Sequence, residues 1–522
     1  MSKQQVETVE PPAAAADPTP RSPREIRLVM IGLVVAMLLA MLDNLIVGTA
    51  MPTIVGDLGG AEHLSWVVTA YTLATAASTP IWGKLGDLYG RKGTFVISIA
   101  IFLLGSALSG LSQTMGQLIA FRAVQGLGAG GLMVGVMSIM GALVAPRDRG
   151  KYQGMFAAVM ALATVGGPLI GGFITDHLSW HWTFYINLPL GVVALAFIVI
   201  TLKLPSVRSK AKIDYLGAAL LTVGITSLVL ITTWGGQEYE WASKQILGLG
   251  ALAVASLIAF VYAEQKAEEP MLPLELFRNR NFTMVSLIGF IVGFAMFGAV
   301  TFLPLYQQHV QGASATSSGL QLMPMMFGML VVSLVVGQAI TKTGKYRIYP
   351  IIGTAVMAGG SLLLSTLSTD TDRFVSSCYM VVLGAGMGFL MQVTMLVAQN
   401  SVELKDMGVA SSTATLFRTI GGSFGVALFG ALFNDRVTST MAGAAGAQGG
   451  SQGGGHGNIA QLGPEAVRAL PAPVQDTFHH AVANGIHTVF IWGAVISLVA
   501  VAASVFLREV PLRGAGEPVL SE

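Results

Sequence analysis

Fourteen stretches of about twenty apolar residues, joined by short polar turns, run through this chain between residues 28 and 507. They lie near 28–50, 65–82, 94–112, 116–138, 152–174, 183–203, 215–234, 245–264, 284–305, 319–340, 348–368, 376–398, 409–433 and 486–507. A helix of that length matches the hydrocarbon thickness of a bilayer. Within lipid only helices and closed barrels satisfy their own backbone polar groups, and runs of this length select the helix. The chain is expected to be an all-α integral membrane protein with fourteen transmembrane helices. Composition agrees, because 53% of the 522 residues are hydrophobic and 11% are charged, against about 25% charged in soluble domains. The net charge of +2 gives no footprint for a nucleic acid. The single cysteine, Cys378, excludes an internal disulfide and a thiolate metal cluster.

Charge sets an orientation. When the N-terminal tail is placed in the cytoplasm and the helices alternate, 23 of the 29 lysines and arginines fall on the cytoplasmic side and 4 on the other. That asymmetry is what the positive-inside rule demands. An even number of helices puts both termini in the cytoplasm. Residues 1–27 read as a disordered cytoplasmic tail rather than a signal peptide, since residues 1–20 are acidic, rich in Ala and Pro and lack an apolar run. Residues 508–522 form a second tail.

A faint repeat divides the chain. Gly83 and Gly90, seven residues apart at a basic turn, recur as Gly337 and Gly344, with Lys345 at the place of Arg91 and Thr341 at that of Asp87. The offset sets the first six helices opposite the last six. Residues 28–203 then form one six-helix bundle and 281–507 the other, with a linker carrying two inserted helices over 204–280. Two such halves around a central cavity suit alternating access. Residues 437–483 are expected to be a long external loop, whose Gly-rich stretch is low in complexity.

Few charges fall within the apolar runs, and a charge in hydrocarbon is expensive enough to suggest a function. The clearest are Asp43, Arg122 and Arg418. Asp43 lies roughly 22 Å along the first helix, and Arg122 lies roughly 9 Å into the fourth from its opposite end. The two depths agree, so a buried pair is expected. It reads either as a structural salt bridge or as a proton switch, in which protonating Asp43 releases Arg122. Arg418 has no acidic partner at its depth. Bonding to backbone carbonyls, lining a cavity and attracting an anionic group all remain open for it.

Glycine and proline punctuate the same region. Gly126, Gly128 and Gly131 spell a formal GxGxxG, but inside an apolar helix, where close helix packing is the better reading than a nucleotide loop. Gly166-Gly167-Pro168 through Gly171-Gly172 puts a helix-kinking proline among four glycines at mid-membrane.

Taken together, these segments resemble the fourteen-helix drug:proton antiporter family of the major facilitator superfamily. The resemblance runs from about residue 28 to 437. It is carried by Leu42-Asp43 through Pro52, by Trp66 to Tyr71, by the loop Gly83–Lys92, by Arg122–Gly131 and by Gly166–Gly172. Trp180-His181-Trp182 through Asn187, Pro189 and Gly191 is the most specific segment, and Phe302–Tyr306 and Ser318–Pro324 also match. Departures are Asn44 and Gly48, Ala163 where a glycine is usual and His181 where an arginine is usual. For His181, at the external face, a role in proton uptake stands beside simple exposure.

The resemblance implies a major facilitator fold of two six-helix bundles plus two inserted helices. It also implies proton-driven efflux, with Asp43 and Arg122 as coupling residues. Gly83, Asp87, Gly90 and Arg91 are implied to form a conformational latch, which protonation or movement would break. The partner suggested for Asp87 is the N-terminus of the helix that begins near Val409. Gly167, Pro168, Gly171 and Gly172 are implied to form the antiporter motif of drug exporters.

Substrate candidates are Gln125, Phe294, Phe297, Tyr306, Met323, Met326, Gln392 and Arg418, with Gln321, Met325 and Met329 beside them. Methionines suit varied apolar ligands, although core packing explains them equally well. The last six helices carry no convincing mid-membrane carboxylate, which argues against a specialist for dications. The expected function is export of lipophilic drugs or antibiotics across the cytoplasmic membrane by proton antiport. An exporter or flippase of an endogenous lipid, siderophore or secondary metabolite is the alternative, and a non-transporting sensor or scaffold the third. Expected partners are a small lipophilic substrate, protons and the lipid bilayer, with no nucleic acid, and the chain is expected to act as a monomer. No cofactor or metal beyond the proton gradient is called for, and no pairing of nucleophile and base points to an enzyme.

Overall fold

The computed structural model describes residues 23–59, 64–144, 149–202, 214–235, 239, 242–313, 315–447, 467 and 471–512. It is helical almost throughout, and the one β contact among these residues is an isolated bridge between Gly235 and Tyr239. The helices are α1 (Pro23–Leu58), α2 (Leu64–Tyr89), α3 (Arg91–Gly110), α4 (Met115–Leu143), α5 (Arg149–His177), α6 (Trp182–Tyr185), α7 (Asn187–Thr201), α8 (Tyr215–Trp234) and α9 (Lys244–Glu264). They continue as α10 (Arg280–His309), α11 (Ala315–Leu320), α12 (Met323–Thr343), α13 (Ile348–Ser365), α14 (Arg373–Asn400), α15 (Met407–Ala447) and α16 (Ala472–Val505).

The polar residues at the turns start and stop these helices. Thr114, Asp214, Ser243 and Asp372 accept backbone N–H groups in the first turns of α4, α8, α9 and α14, which satisfies donors that have no partner within the helix. Gly344 closes α12 at φ +70° and Gly90 opens α3 at φ +96°. The two glycines of the sequence repeat therefore share a positive φ, which a residue with a Cβ rarely adopts, although their ψ angles differ.

In the first half α4 packs on α2 and α3, and α1 packs on α5 and α7. In the second, α10 packs on α15, α14 on α12 and α13, and α16 on α13 and α15. Helices α8 and α9 pair with each other and lean on α2 and α15. The two halves meet along α5–α12 and α2–α15.

Among the described residues twelve helices are long and apolar enough to cross a membrane, against fourteen expected. The two others of comparable length are α2 and α5. Both are diluted by small and polar residues, and α2 ends on Lys84 and Asp87. Helix ends also differ from expectation. α1 begins at Pro23, a residue suited to a first helical turn, so residues 23–27 of the expected tail are helical. α15 continues past residue 433 to Ala447 and α16 begins at Ala472, so helix replaces both ends of the loop expected over 437–483. Val437, Phe478 and Ala481 are fully buried in the core of the second half, and that burial extends the helices. The expected tail at 1–22, the linker at 203–213, the loop at 448–466 and 468–470, and the tail from 513 lie outside the described residues.

Candidate functional site: a buried ion pair and a contact between the halves

Asp43 and Arg122 meet in the interior of the first half, both fully buried. Arg122 Nη1 donates to Asp43 Oδ2 at 2.5 Å and to Gln125 Oε1 at 2.8 Å. The other carboxylate oxygen, Oδ1, accepts from Gln125 Nε2 and Asn187 Nδ2, each at 2.7 Å. Ser106 accepts from the same two amides at 3.1 and 2.9 Å, and its own hydroxyl donates to the Phe184 carbonyl. The guanidinium lies over the Tyr71 ring, 4.0 Å from its centroid.

Small residues make this convergence of α1, α2, α3, α4 and α7 possible. A Cβ on Gly126 would strike the Tyr71 carbonyl, one on Gly128 the Phe102 backbone, and one on Gly105 the Gln125 backbone. The GxGxxG of α4 is thus where α2 and α3 close on it. Removing one partner of such a buried pair leaves an uncompensated charge, worth about 3–5 kcal/mol. Two polar atoms of the cluster, Arg122 Nη2 and Asn187 Oδ1, have no hydrogen-bond partner among the described residues.

The pair was legible as depth along two helices. Ser106, Tyr71 and Asn187 were not singled out for the site, although Asn187 is a lone amide at the head of an apolar helix, a signal of the same kind as Asp43. Gln125 lies in this cluster rather than in a substrate wall, because its amide is consumed by Asp43, Arg122 and Ser106.

A second charged cluster joins the two halves at the basic end. Asp87 Oδ1 accepts from Arg91 Nη2 at 2.9 Å and Nε at 3.3 Å. Its Oδ2 accepts the backbone N–H of Val409 at 2.9 Å, in the first turn of α15. Burial raises the Asp87 carboxyl to about 6, outweighing Arg91 and the backbone donors that pull it down. Beside it, a Cβ on Gly83 would come within 2.5 Å of Ser412 Oγ and 2.8 Å of the Gly408 carbonyl. Gln399 also donates to the Met137 carbonyl across the halves, and Lys84 pairs with Glu269 at 3.0 Å.

On α5, a Cβ on Gly167 would meet Leu45 Cβ at 2.5 Å, and one on Gly171 would strike Thr49. Gly172 faces open space, and Pro168 lies within the helical backbone. This glycine face therefore grips α1 just beyond Asp43. At the other end of the bundle Trp180 donates to Asp57 at 2.8 Å and stacks on His181, whose Nδ1 lies 2.5 Å from Ser179 Oγ.

The remaining substrate candidates do not share one wall. Phe294, Tyr306 and Met326 are buried in the core of the second half, and the Tyr306 hydroxyl is taken by the Ser368 carbonyl. Phe297 and Met323 are exposed. Gln392 donates to Ser333 at 2.6 Å. Arg418 is partly buried in a recess between α10, α14 and α15. Residue type alone suggested this set; helix rotation separates its members. Among the described residues no group of three His, Cys, Asp or Glu side chains converges as for a metal.

Residues 33–426 match the family model described as Major Facilitator Superfamily. The chain is 40% identical to "Multidrug transporter protein MdtP" of Bacillus subtilis over 93% of each chain. It is 36% identical to "Multidrug resistance protein 3" of the same species over 96% of this chain and 99% of that one. Among solved structures, the proton:xylose symporter XylE of the major facilitator superfamily superposes with a TM-score of 0.57 at 14% identity, covering 92% of this chain and 95% of that chain. That last likeness is one of fold.

Proposed function

Since the chain belongs to the major facilitator superfamily and is an efflux transporter rather than an enzyme, we propose that it exports lipophilic drugs or antibiotics in exchange for protons. The observation that carries this reading is the fully buried carboxylate of Asp43, held by Arg122, Gln125 and Asn187 from three directions. A proton arriving on Asp43 removes the charge that Arg122 neutralises. The guanidinium, with Nη2 already unpartnered, must then find another acceptor. α1, α4 and α7 shift relative to one another, because each contributes one of these side chains. α1 is gripped by the glycines of α5, and α5 packs on α12 of the other half. A local proton thereby changes how the two halves meet, which is the requirement for alternating access.

The basic end is read as cytoplasmic, with both termini there and the protein in the cytoplasmic membrane, since lysines and arginines gather on that side. The Asp87–Val409 contact then closes the cytoplasmic mouth, and its release admits substrate. The proton gradient is the energy source, and a monomer holds both halves of the cycle.

Inside-out vesicles carrying the native chain or Asp43→Asn test this. With a proton gradient established, a panel of lipophilic drugs is added and luminal pH is followed. Drug-induced proton leak with the native chain but not the variant is the expected result. Equal leak in both would remove Asp43 from the coupling path. No leak with any drug would favour an endogenous metabolite as cargo or a different driving force.

A further inference from the structure

Arg418, partly buried, differs from Arg122, the fully buried arginine of the first half. Arg122 is neutralised within its own bundle, whereas the Arg418 side chain makes no hydrogen bond or ion pair with any described residue. It lies eleven residues beyond Met407, roughly 16 Å along α15. That is deeper than an arginine reaches to snorkel to the basic end. A cation left so is expensive unless something brings it a partner.

The surroundings say what kind of partner fits. The recess is walled by Val285 and Val292 of α10 and by Met391 and Met395 of α14, with no charged side chain besides Arg418. The recess is small in this conformation, with about 10 Å³ of free space, and a Cβ on Gly289 would meet nothing nearer than the Ala414 carbonyl at 4.0 Å. The Thr394 hydroxyl on the rim is already spent on the Leu390 carbonyl. Close by, Gly293 packs on the Arg418 backbone carbonyl and brings α10 against α15.

We propose that Arg418 is the docking cation for amphipathic organic monoanions among the transported molecules. A carboxylate would take the two-pronged guanidinium contact, which a planar fork provides and an ammonium does not. The apolar body of the same molecule would lie on the methionines, whose flexible thioethers adapt to varied shapes. The proposal deepens the export reading by naming a substrate class, and it rests on that reading for the direction of travel. Binding itself needs no gradient.

The test is equilibrium binding of tritiated naphthaleneacetate, and of its neutral analogue naphthaleneacetamide, to the full chain in lipid nanodiscs, with empty nanodiscs as the partition control. The native chain should hold the acid roughly tenfold more tightly than the amide, the size of one charge-assisted contact. Arg418→Gln should erase that preference and Arg418→Lys should keep part of it. In a Cys378→Ser chain carrying Thr394→Cys, the acid and not the amide should slow thiol labelling at the recess. Equal binding of acid and amide to the native chain, no saturable binding of the acid, or a preference that survives Arg418→Gln would each overturn the proposal. Should Arg418→Gln not fold, the native ratio and the Thr394→Cys protection decide alone. Selective acid binding without drug-driven proton leak would sink proton coupling and leave this site standing, and the converse separates the two in the other direction.

Discussion

The Asp87 carboxylate accepts the backbone N–H of Val409 at 2.9 Å, across 322 positions of sequence and from one half of the molecule to the other. Val409 lies in the first turn of α15, where the helix presents unsatisfied donors and the positive end of its dipole. The contact ties the two halves together at the basic end through one carboxyl group.

The sign of its pH dependence follows from burial. Asp87 titrates near 3.8 when free and at about 6 in the closed arrangement, so the closed state binds the proton more tightly. Closure gains full advantage below the free value and loses it as pH rises through about 6. A difference of that size is worth roughly 3 kcal/mol. On that shift protonation should favour the Asp87–Val409 contact, whereas the sequence reading expects protonation or movement to break it. Spin labels at Tyr89→Cys and Lys405→Cys, in a Cys378→Ser chain, should draw together between pH 7.5 and 4.5. Asp87→Asn should flatten the profile. A separation that grows on acidification, with Asp87 present, would show that the ion pair and not burial governs.

Gly83 sits in the same seam, with room for a hydrogen and nothing larger. In Gly83→Val the added carbons meet Ser412 and the Gly408 carbonyl, forcing α2 from α15. Overpacking of this kind costs about 1–3 kcal/mol. The closed state alone should suffer, so the same label pair should report a larger open population without loss of folded protein. Adding Ser412→Gly should restore only part of the closed population, because the backbone carbonyl remains in the way. Full restoration would mean that the Ser412 side chain was the whole obstacle.

The Asp43–Arg122 pair should behave as a coupled unit. Arg122→Gln leaves the carboxylate with amide donors only and should destabilise the folded chain by about 3–5 kcal/mol. Asp43→Asn strands the guanidinium. The double variant removes both charges, so its loss should fall well below the sum of the single losses. Unfolding in mixed detergent micelles measures all three. Strict additivity would mean that the two side chains do not stabilise each other.

The sequence disclosed depth and hid rotation. Asp43 and Arg122 could be placed at one level because rise per residue is fixed. Membrane helices are apolar on every side, so no stripe of polarity reveals which face meets a neighbour. Ser106 and Asn187 escaped for that reason, and Phe297, Tyr306 and Met323 were grouped with Arg418 on residue type alone. Loop glycines were easier to read, because Gly90 and Gly344 mark turns that demand positive φ. The extensions of α15 and α16 were obscured by small and polar residues that serve a helix or a loop equally well.

Gly171 and Gly172 offer the sharpest test of how α5 communicates with Asp43. They are adjacent in sequence and belong to the same expected motif, yet they face different surroundings. A Cβ on Gly171 strikes Thr49 and lies 3.0 Å from the Ile46 carbonyl, whereas one on Gly172 meets nothing within 4 Å. Gly171→Ala should therefore push α5 from α1 at a cost of about 1–3 kcal/mol and lower drug-driven proton movement. Gly172→Ala should leave both stability and transport near native, with a small gain in helix propensity. Adding Thr49→Ser to Gly171→Ala should give little relief, since the hydroxyl and the Ile46 carbonyl both stay. If instead the two alanines impair transport equally while both fold, the requirement at these positions belongs to a conformation in which Gly172 is also packed, and the grip seen here is only one stage of the α1–α5 contact.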